Sequence, residues 1–254
     1  LDEGERITTF LPVRDYPEDQ FVLMATSAGV VKKTPLPNFS RPRSSGLIAL
    51  SLDEGDTLIG AAITKGDAEV MLFSTAGKAV RFNEEAVRPM SRTARGVRGI
   101  KMPQGHHVVS LIIPQDGGVI LTASENGYGK RTSAYEYRIT KRGGQGIINI
   151  ETSQRNGAVI NAFPVATGDQ IMLITDGGRL IRVGVEDIRI ASRNTQGVTL
   201  FKTDEAERVV SIAWLPDSEP GSDGGDQDEV ADLEADEKLG DAEETVNDSV
   251  DEEA

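Results

Sequence analysis

The strongest constraint on this chain is a phrase that returns about every 50 residues. It reads "ATSAGVVKK" at 25–33, "FSTAGKAVR" at 73–81, "ASENGYGKR" at 123–131 and "ITDGGRLIR" at 174–182. Its turn glycines, Gly29, Gly77, Gly127 and Gly178, are spaced 48, 50 and 51 apart. A second glycine keeps the same period in "SSGLIAL", "ARGVRGI", "GQGIINI" and "TQGVTLF". These are Gly46, Gly96, Gly146 and Gly197, spaced 50, 50 and 51. Two independent anchors with one period mark a repeat architecture, in which each unit leans on its neighbours.

Each unit reads as four short strands. An apolar strand opens it, as in "LIGAAI" (58–63), "VVSLII" (108–113) and "VINAFP" (159–164). A second follows in "FVLMAT" (21–26), "EVMLFS" (69–74), "GVILTA" (118–123) and "QIMLIT" (170–175). A glycine turn leads to a third strand, and the second glycine to a fourth. These runs are short, rich in Val, Ile and Leu, and bounded by Gly, Asp, Asn and Ser, which is the signature of strands. A four-stranded unit of this size cannot close its own core, so the units are expected to stack radially, like propeller blades. The expected fold is all-β. The run "RVVSIAWLP" (208–216) reads as the opening strand of a further unit, one that completes a blade begun elsewhere by strand exchange.

Charge divides the chain in two. The net charge of the 254 residues is −14. From Asp217 to Ala254 there are 17 Asp and Glu against the single Lys238, a net of −16. Taking −16 from −14 leaves +2 for residues 1–216. The body, 1–216, is apolar-patterned and slightly basic. The tail, 217–254, is acidic and lacks aromatic residues. It cannot bury enough apolar surface to offset its chain entropy, and is expected to be disordered. Its charge suits a solubilising extension or a segment that competes with a polyanion for the basic body.

Basic residues keep register with the glycines. Four positions after the turn glycine stand Lys33, Arg81, Arg131 and Arg182, with Lys32 and Lys130 just before two of them. Lys78 and Arg179 directly follow two of the turn glycines. Eleven positions after the glycine come Ser40, Arg88, Arg138 and Arg189. Four before the second glycine come Pro42, flanked by Arg41 and Arg43, then Arg92, Arg142 and Arg193; Arg95 and Lys141 lie close by. Lysine and arginine also protect exposed sheet edges. A cation at one place on every unit would make a positive belt, suited to the evenly spaced phosphates of duplex DNA. Such a belt reads little sequence. Aromatic residues make up 5% of the chain and form no stacking platform for single strands.

Catalytic chemistry has no foothold in these residues. There is no cysteine, which excludes disulfides, thiolate metal sites and cysteine nucleophiles. The only histidines, His106 and His107, are neighbours, and on an extended chain they point to opposite faces. In "TKRGGQG" (140–146) the lysine precedes the glycines, so the segment is not a nucleotide-binding P-loop. No apolar run approaches a membrane span of roughly 18 residues. Leu1 is not an initiator residue, and the sequence reads as part of a longer chain.

The phrases "FSTAGKAVRF", "ENGYGKRT", "ITDGGRLIR" and "SRNTQGV", in this order and followed by an acidic tail, resemble the C-terminal domain of the A subunit of bacterial DNA gyrase. The resemblance covers residues 1–216. It implies a β-pinwheel, in that family a ring of six four-stranded blades with strands exchanged between neighbours, of which about four repeats are visible here. It also implies that double-stranded DNA wraps around the basic rim. The phosphate-contacting residues are then Lys32, Lys33, Arg41, Arg43, Lys78, Arg81, Arg92, Arg95, Lys130, Arg131, Lys141, Arg142, Arg179, Arg182 and Arg193. The partners implied are the rest of the gyrase A subunit and the gyrase B subunit, in an A2B2 assembly that uses ATP and Mg to introduce negative supercoils in the bacterial cytoplasm. The fragment itself is expected to bind no cofactor. The family's heptapeptide Q-R-R-G-G-K-G is absent. Its nearest relative is "TKRGGQG", in which Lys141, Arg142, Gly143, Gly144 and Gly146 match while Thr140 and Gln145 differ. The expected start is therefore after the first one or two blades. Alternatives are the related domain of topoisomerase IV, which decatenates, and a propeller-like protein-interaction module.

Overall fold

A computed structural model describes residues 7–204 and 206–217. The tail beyond Asp217, expected to be disordered, lies outside the described residues. Each repeat phrase forms an antiparallel hairpin: β1 (Phe21–Thr26) with β2 (Val30–Pro35), then β4 (Glu69–Ser74) with β5 (Lys78–Asn83). The third pairs β8 (Val119–Ser124) with β9 (Tyr128–Ser133), and the fourth β12 (Gln170–Thr175) with β13 (Leu180–Gly184). A short 3-10 turn follows each hairpin, at Leu36–Phe39, Glu84–Ala86, Ala134–Glu136 and Val185–Asp187.

Two later strands complete each of the first three sheets, the first closing the repeat itself and the second coming from the next repeat. β3 (Leu58–Thr64) pairs with β1, and β6 (Val97–Arg98) pairs with β2, giving the order β3-β1-β2-β6. In the same way β7 (Val108–Ile112) and β10 (Ile147–Ile148) flank β4 and β5. β11 (Val159–Val165) and β14 (Val198–Thr199) flank β8 and β9. The fourth sheet has three strands among the described residues, with β15 (Val209–Leu215) beside β12.

Two expectations need correction. The apolar strand read as opening each unit instead closes the sheet of the unit before it. Residues 208–216 likewise do not begin a further unit but finish the fourth sheet. The physical reason is antiparallel pairing: β3 returns along β1, register Phe21↔Thr64 through Ala25↔Gly60, before the next hairpin begins.

Side chains of the hairpin strands alternate between two neighbours. Val70 and Leu72 face the first sheet, joining Leu23, Ala25 and Val31, while Met71 and Phe73 join Ile120, Tyr137 and Ala162 of the third. Leu121 and Ala123 meet Ile171 and Leu173 of the fourth. The cores thus lie between sheets, which is why the central strands are buried on both faces. β3, β7, β11 and β15 pack side by side on the inner edge, which leaves β6, β10 and β14 on the outer rim.

Both glycine periods mark one crossing. Each rim strand passes over the hairpin turn of the preceding repeat. The Gly29 carbonyl accepts from Gly99 and Ile100, that of Gly77 from Asn149 and Ile150, and that of Gly127 from Leu200 and Phe201. The turn glycines adopt positive φ, +75° at Gly127, and a Cβ there would meet the Phe201 carbonyl at 2.1 Å. The second glycines press on the hairpin from the other side, a Cβ at Gly146 meeting the Ala79 carbonyl at 2.5 Å. Gly46, with the same left-handed backbone, has nothing within 4 Å. Gly127→Ala is therefore expected to cost at least about 2 kcal/mol of unfolding free energy. Gly46→Ala should cost about 1 kcal/mol, the backbone penalty alone. Chemical denaturation measures both, and equal costs would refute a structural role for the crossing.

Candidate nucleic-acid interface

The basic register separates into cations used inside the joints and cations turned outward. At four positions after the turn glycine, each side chain of the first three repeats reaches the 3-10 turn of the next repeat. Lys33 donates to the Glu84 carbonyl at 3.2 Å and lies 3.7 Å from its buried carboxylate. Arg81 donates to the carbonyls of Ala134 (2.7 Å) and Tyr137 (3.1 Å) and pairs with Glu69. Arg131 donates to the carbonyls of Ile188 (2.6 Å) and Glu186 (3.2 Å). The backbone repeats this link: the amides of Met90, Thr140 and Ala191 donate to the carbonyls of Lys33, Arg81 and Arg131. Arg182, in the fourth repeat, is exposed and donates to Gln170 of its own sheet.

A second set ties rim to rim. Arg92 donates to the Ile48 carbonyl at 3.2 Å, Arg142 to that of Arg98, and Arg193 to that of Ile148 at 2.7 Å. Each acceptor stands two residues after the preceding second glycine. These guanidiniums are half-buried. They fasten each rim loop to the segment that follows the preceding second glycine, which is a rim strand for Arg142 and Arg193.

Three residues expected to contact phosphates are inaccessible. Lys32 and Lys130 are 0% exposed and Lys33 is 4% exposed. Lys32 donates to the carbonyls of Ala49, at 2.6 Å, and Arg92. Lys130 donates to those of Ser192 and Arg193, both at 2.6 Å, and to the Thr195 hydroxyl at 3.1 Å. Burial pushes the ammonium of each down to about 8, with Arg92 adding to the fall at Lys32. The correction has a simple cause: any need repeated in every unit produces a periodic cation, whether it is met inside or outside.

Of the other expected residues, Arg41, Arg43 and Lys141 are exposed on loops. Arg95 is exposed and pairs with Asp53 at 2.6 Å. Lys78 is half-buried at the start of β5. Arg179 is held by Asp204 and Glu207 and lies over the Phe201 ring. The outward set also contains residues that sequence reasoning did not count among the phosphate contacts. Arg88, Arg138 and Arg189 each follow a 3-10 turn and are exposed, as are Arg98 on rim strand β6 and Lys101 just beyond it. The signal for the first three was present, since they share one offset from the turn glycine.

Among the described residues no group of three or more His, Asp or Glu is placed to hold a metal ion. No helix there is long and apolar enough to cross a membrane. His106 accompanies the Thr75 hydroxyl at 3.1 Å, beside a turn.

Antiparallel sheets of three or four strands, stacked by repeat with strands exchanged at the rim, define a β-pinwheel. The family model of the DNA gyrase C-terminal domain, a β-propeller, matches four times, at residues 20–65, 68–115, 118–166 and 169–213, each match running from the start of a hairpin to its closing inner strand. The chain belongs to this family of DNA gyrase A C-terminal domains. It is 57% identical over 212 residues to the DNA gyrase A subunit of Salmonella typhimurium, and 52% identical over 229 residues to that of Pseudomonas aeruginosa. These matches take in 84% and 90% of this chain and 24% of each relative, so the chain spans about a quarter of their length. Among solved structures, a DNA gyrase A C-terminal domain superposes with a TM-score of 0.72 at 26% identity, covering 85% of this chain and 72% of that one. A DNA topoisomerase IV C-terminal domain gives 0.79, also at 26% identity, covering 85% and 68%.

The staples make a testable contrast. Arg131→Ala leaves the carbonyls of Ile188 and Glu186 without their donor and is expected to cost about 2 kcal/mol. Arg182→Ala should stay within about 0.5 kcal/mol of the parent. Urea unfolding of the two variants decides, and similar losses would mean that the joint does not depend on the arginine.

Proposed function

We propose that this chain binds duplex DNA along its rim without reading sequence, and bends it around the stacked blades. The observation that carries the reading is the outward row Arg88, Arg138 and Arg189, one cation at one register in each of the second, third and fourth repeats, in a chain whose inner cations are already engaged. Bending stiff duplex costs of order several kcal/mol. Many weak phosphate interactions along a curved surface offset that cost. Arg41, Arg43, Arg95, Arg98, Lys101 and Lys141 extend the row, and Arg92, Arg142 and Arg193 flank it. The half-buried Lys78 and the exposed Arg182 lie on the hairpins.

Within a longer polypeptide the wrapped duplex would be presented to the strand-passage machinery of a bacterial gyrase, with the gyrase B subunit supplying ATP hydrolysis and Mg. Negative supercoiling in the cytoplasm is the activity this supports. The similarity to named gyrase subunits at above 50% identity favours gyrase over topoisomerase IV. A protein-interaction module would make the row merely solubilising.

Reversing Arg88, Arg138 and Arg189 to Glu together is expected to weaken duplex binding at least tenfold at low salt. It should also flatten the dependence of log K on log salt by about 0.9 for each phosphate no longer neutralised. Unchanged affinity and slope would sink the reading. Reversal at Arg81 or Arg131 is less informative, because those side chains hold the joints.

The acidic segment 217–254, with its net of −16, is proposed to compete with DNA for this basic surface. Its deletion should then tighten binding at low salt, with the gain vanishing at high salt as the charges are screened. An identical titration with and without the segment would reduce it to a solubilising extension.

A further inference from the structure

The repeats act as internal controls for the two buried lysines. Three residues after the turn glycine stand Lys32, Val80, Lys130 and Ile181. Val80 is 1% exposed, so an apolar side chain suits this place in a blade. Neither Lys32 nor Lys130 has a carboxylate partner among the described ion pairs. A buried ammonium without one is costly unless fixed oxygens replace its water. Here they do, and they come from one kind of place. The carbonyls of Arg92 and Arg193, each four residues before a second glycine, belong to the rim loop of the following repeat. Ser192 and Thr195 complete the cage at Lys130, and Ala49 that at Lys32.

The joint with Val80 is built differently. Its rim loop is "TKRGGQG", and backbone hydrogen bonds hold it. Gly143 donates to the Gly99 carbonyl at 2.7 Å, the Gly144 carbonyl accepts from Lys101 at 2.8 Å, and Arg142 reaches the carbonyls of Arg98 and Ala86. Two rim loops are therefore anchored by a buried charge, and the glycine-rich one between them is not.

We propose that Lys32 and Lys130 are positioning residues for DNA binding: each ammonium sets the shape of the next blade's rim loop, 91–96 or 192–197, and so aims that loop at the duplex. The proposal rests on the rim reading above. It replaces a direct phosphate interaction, which the burial of both lysines forbids.

An oxygen cage holds an ammonium better than an amine, which brings fewer hydrogens and no charge. Burial brings both lysines down to about 8. Arg92 adds to the fall at Lys32. At Lys130, Glu136 and Glu151 oppose it and Arg193 adds to it. The anchors should loosen as pH rises through about 8. Stability moves the other way. With a folded pKa below the free value of 10.5, the unfolded chain binds more protons between about 8 and 10.5, so these groups favour folding more as pH rises there. Loss of DNA affinity over that range would not be loss of fold.

The test uses the full chain, a duplex long enough to bend around the blades, fixed salt, and pH 7 and pH 9. The parent is expected to bind roughly fivefold more weakly at pH 9 without a fall in its thermal midpoint. Lys32→Met with Lys130→Met should bind at pH 7 about as weakly as the parent does at pH 9, and show little further change. Lys141→Met, an exposed change on the glycine-rich loop, should keep the pH step. A double variant that matches the parent at pH 7, or retains the full step, would overturn the proposal. If the double variant does not fold, the parent decides alone, and a flat profile from pH 7 to pH 9 overturns it. Failure of the rim reading looks different: the parent then binds duplex at neither pH.

Discussion

Everything in this fold depends on a close approach of two backbones. In the first three repeats the carbonyl of the turn glycine accepts two amides from the rim segment of the following repeat, and the strands could not come so near if these glycines carried a Cβ. The crossing fixes the distance between neighbouring blades. That distance sets the space between sheets, and the apolar side chains fill it. Val70 and Leu72 on one face and Met71 and Phe73 on the other are buried only because two neighbours stand at that spacing. No sheet closes a core by itself, so order passes from joint to joint, as in other arrays whose units touch mainly their neighbours.

This dependence explains what was legible in the sequence. The paired glycine periods could be seen because steric exclusion admits only one residue type at each crossing. The hairpins were legible for a similar reason, since Phe21–Thr26 and its counterparts are apolar runs ended by a turn. The phase of the blades was not. "LIGAAI" and "EVMLFS" are both short apolar runs, and nothing in their composition says which hairpin β3 joins. Pairing is decided by the return of the chain along β1, a tertiary matter. The two-residue rim strands are also too short to announce themselves.

The cations were legible as a pattern and only in part as a site. Guanidinium and ammonium groups satisfy carbonyls as readily as phosphates, and both uses recur once per repeat. Structure separates them by depth. Lys33, Arg81 and Arg131 meet the 3-10 turns, while Arg88, Arg138 and Arg189, each seven residues after the cation that heads its own repeat, stand in solvent. The fourth repeat shows the logic by contrast. Arg182 has the staple's register but no turn to receive it among the described residues, and it is exposed.

The division has a consequence for the strength of binding. Because the joints absorb a large share of the periodic cations, the outward surface carries a thin row of charge, one arginine in each of the last three repeats plus loop residues, on a body whose net charge is only +2. Some of that row is already moderated, as Arg95 is by Asp53, though an ion pair this exposed is worth little and exchanges readily. On the proposed rim reading, a surface of this kind would hold a bent duplex through many interactions, each weak and each open to salt. A rim crowded with unpaired charge would bind a polyanion more tightly, but would also release it less readily. The buried staples join the blades without adding to that external charge, so the cohesion of the scaffold and the charge of its surface are set by separate members of the same basic register.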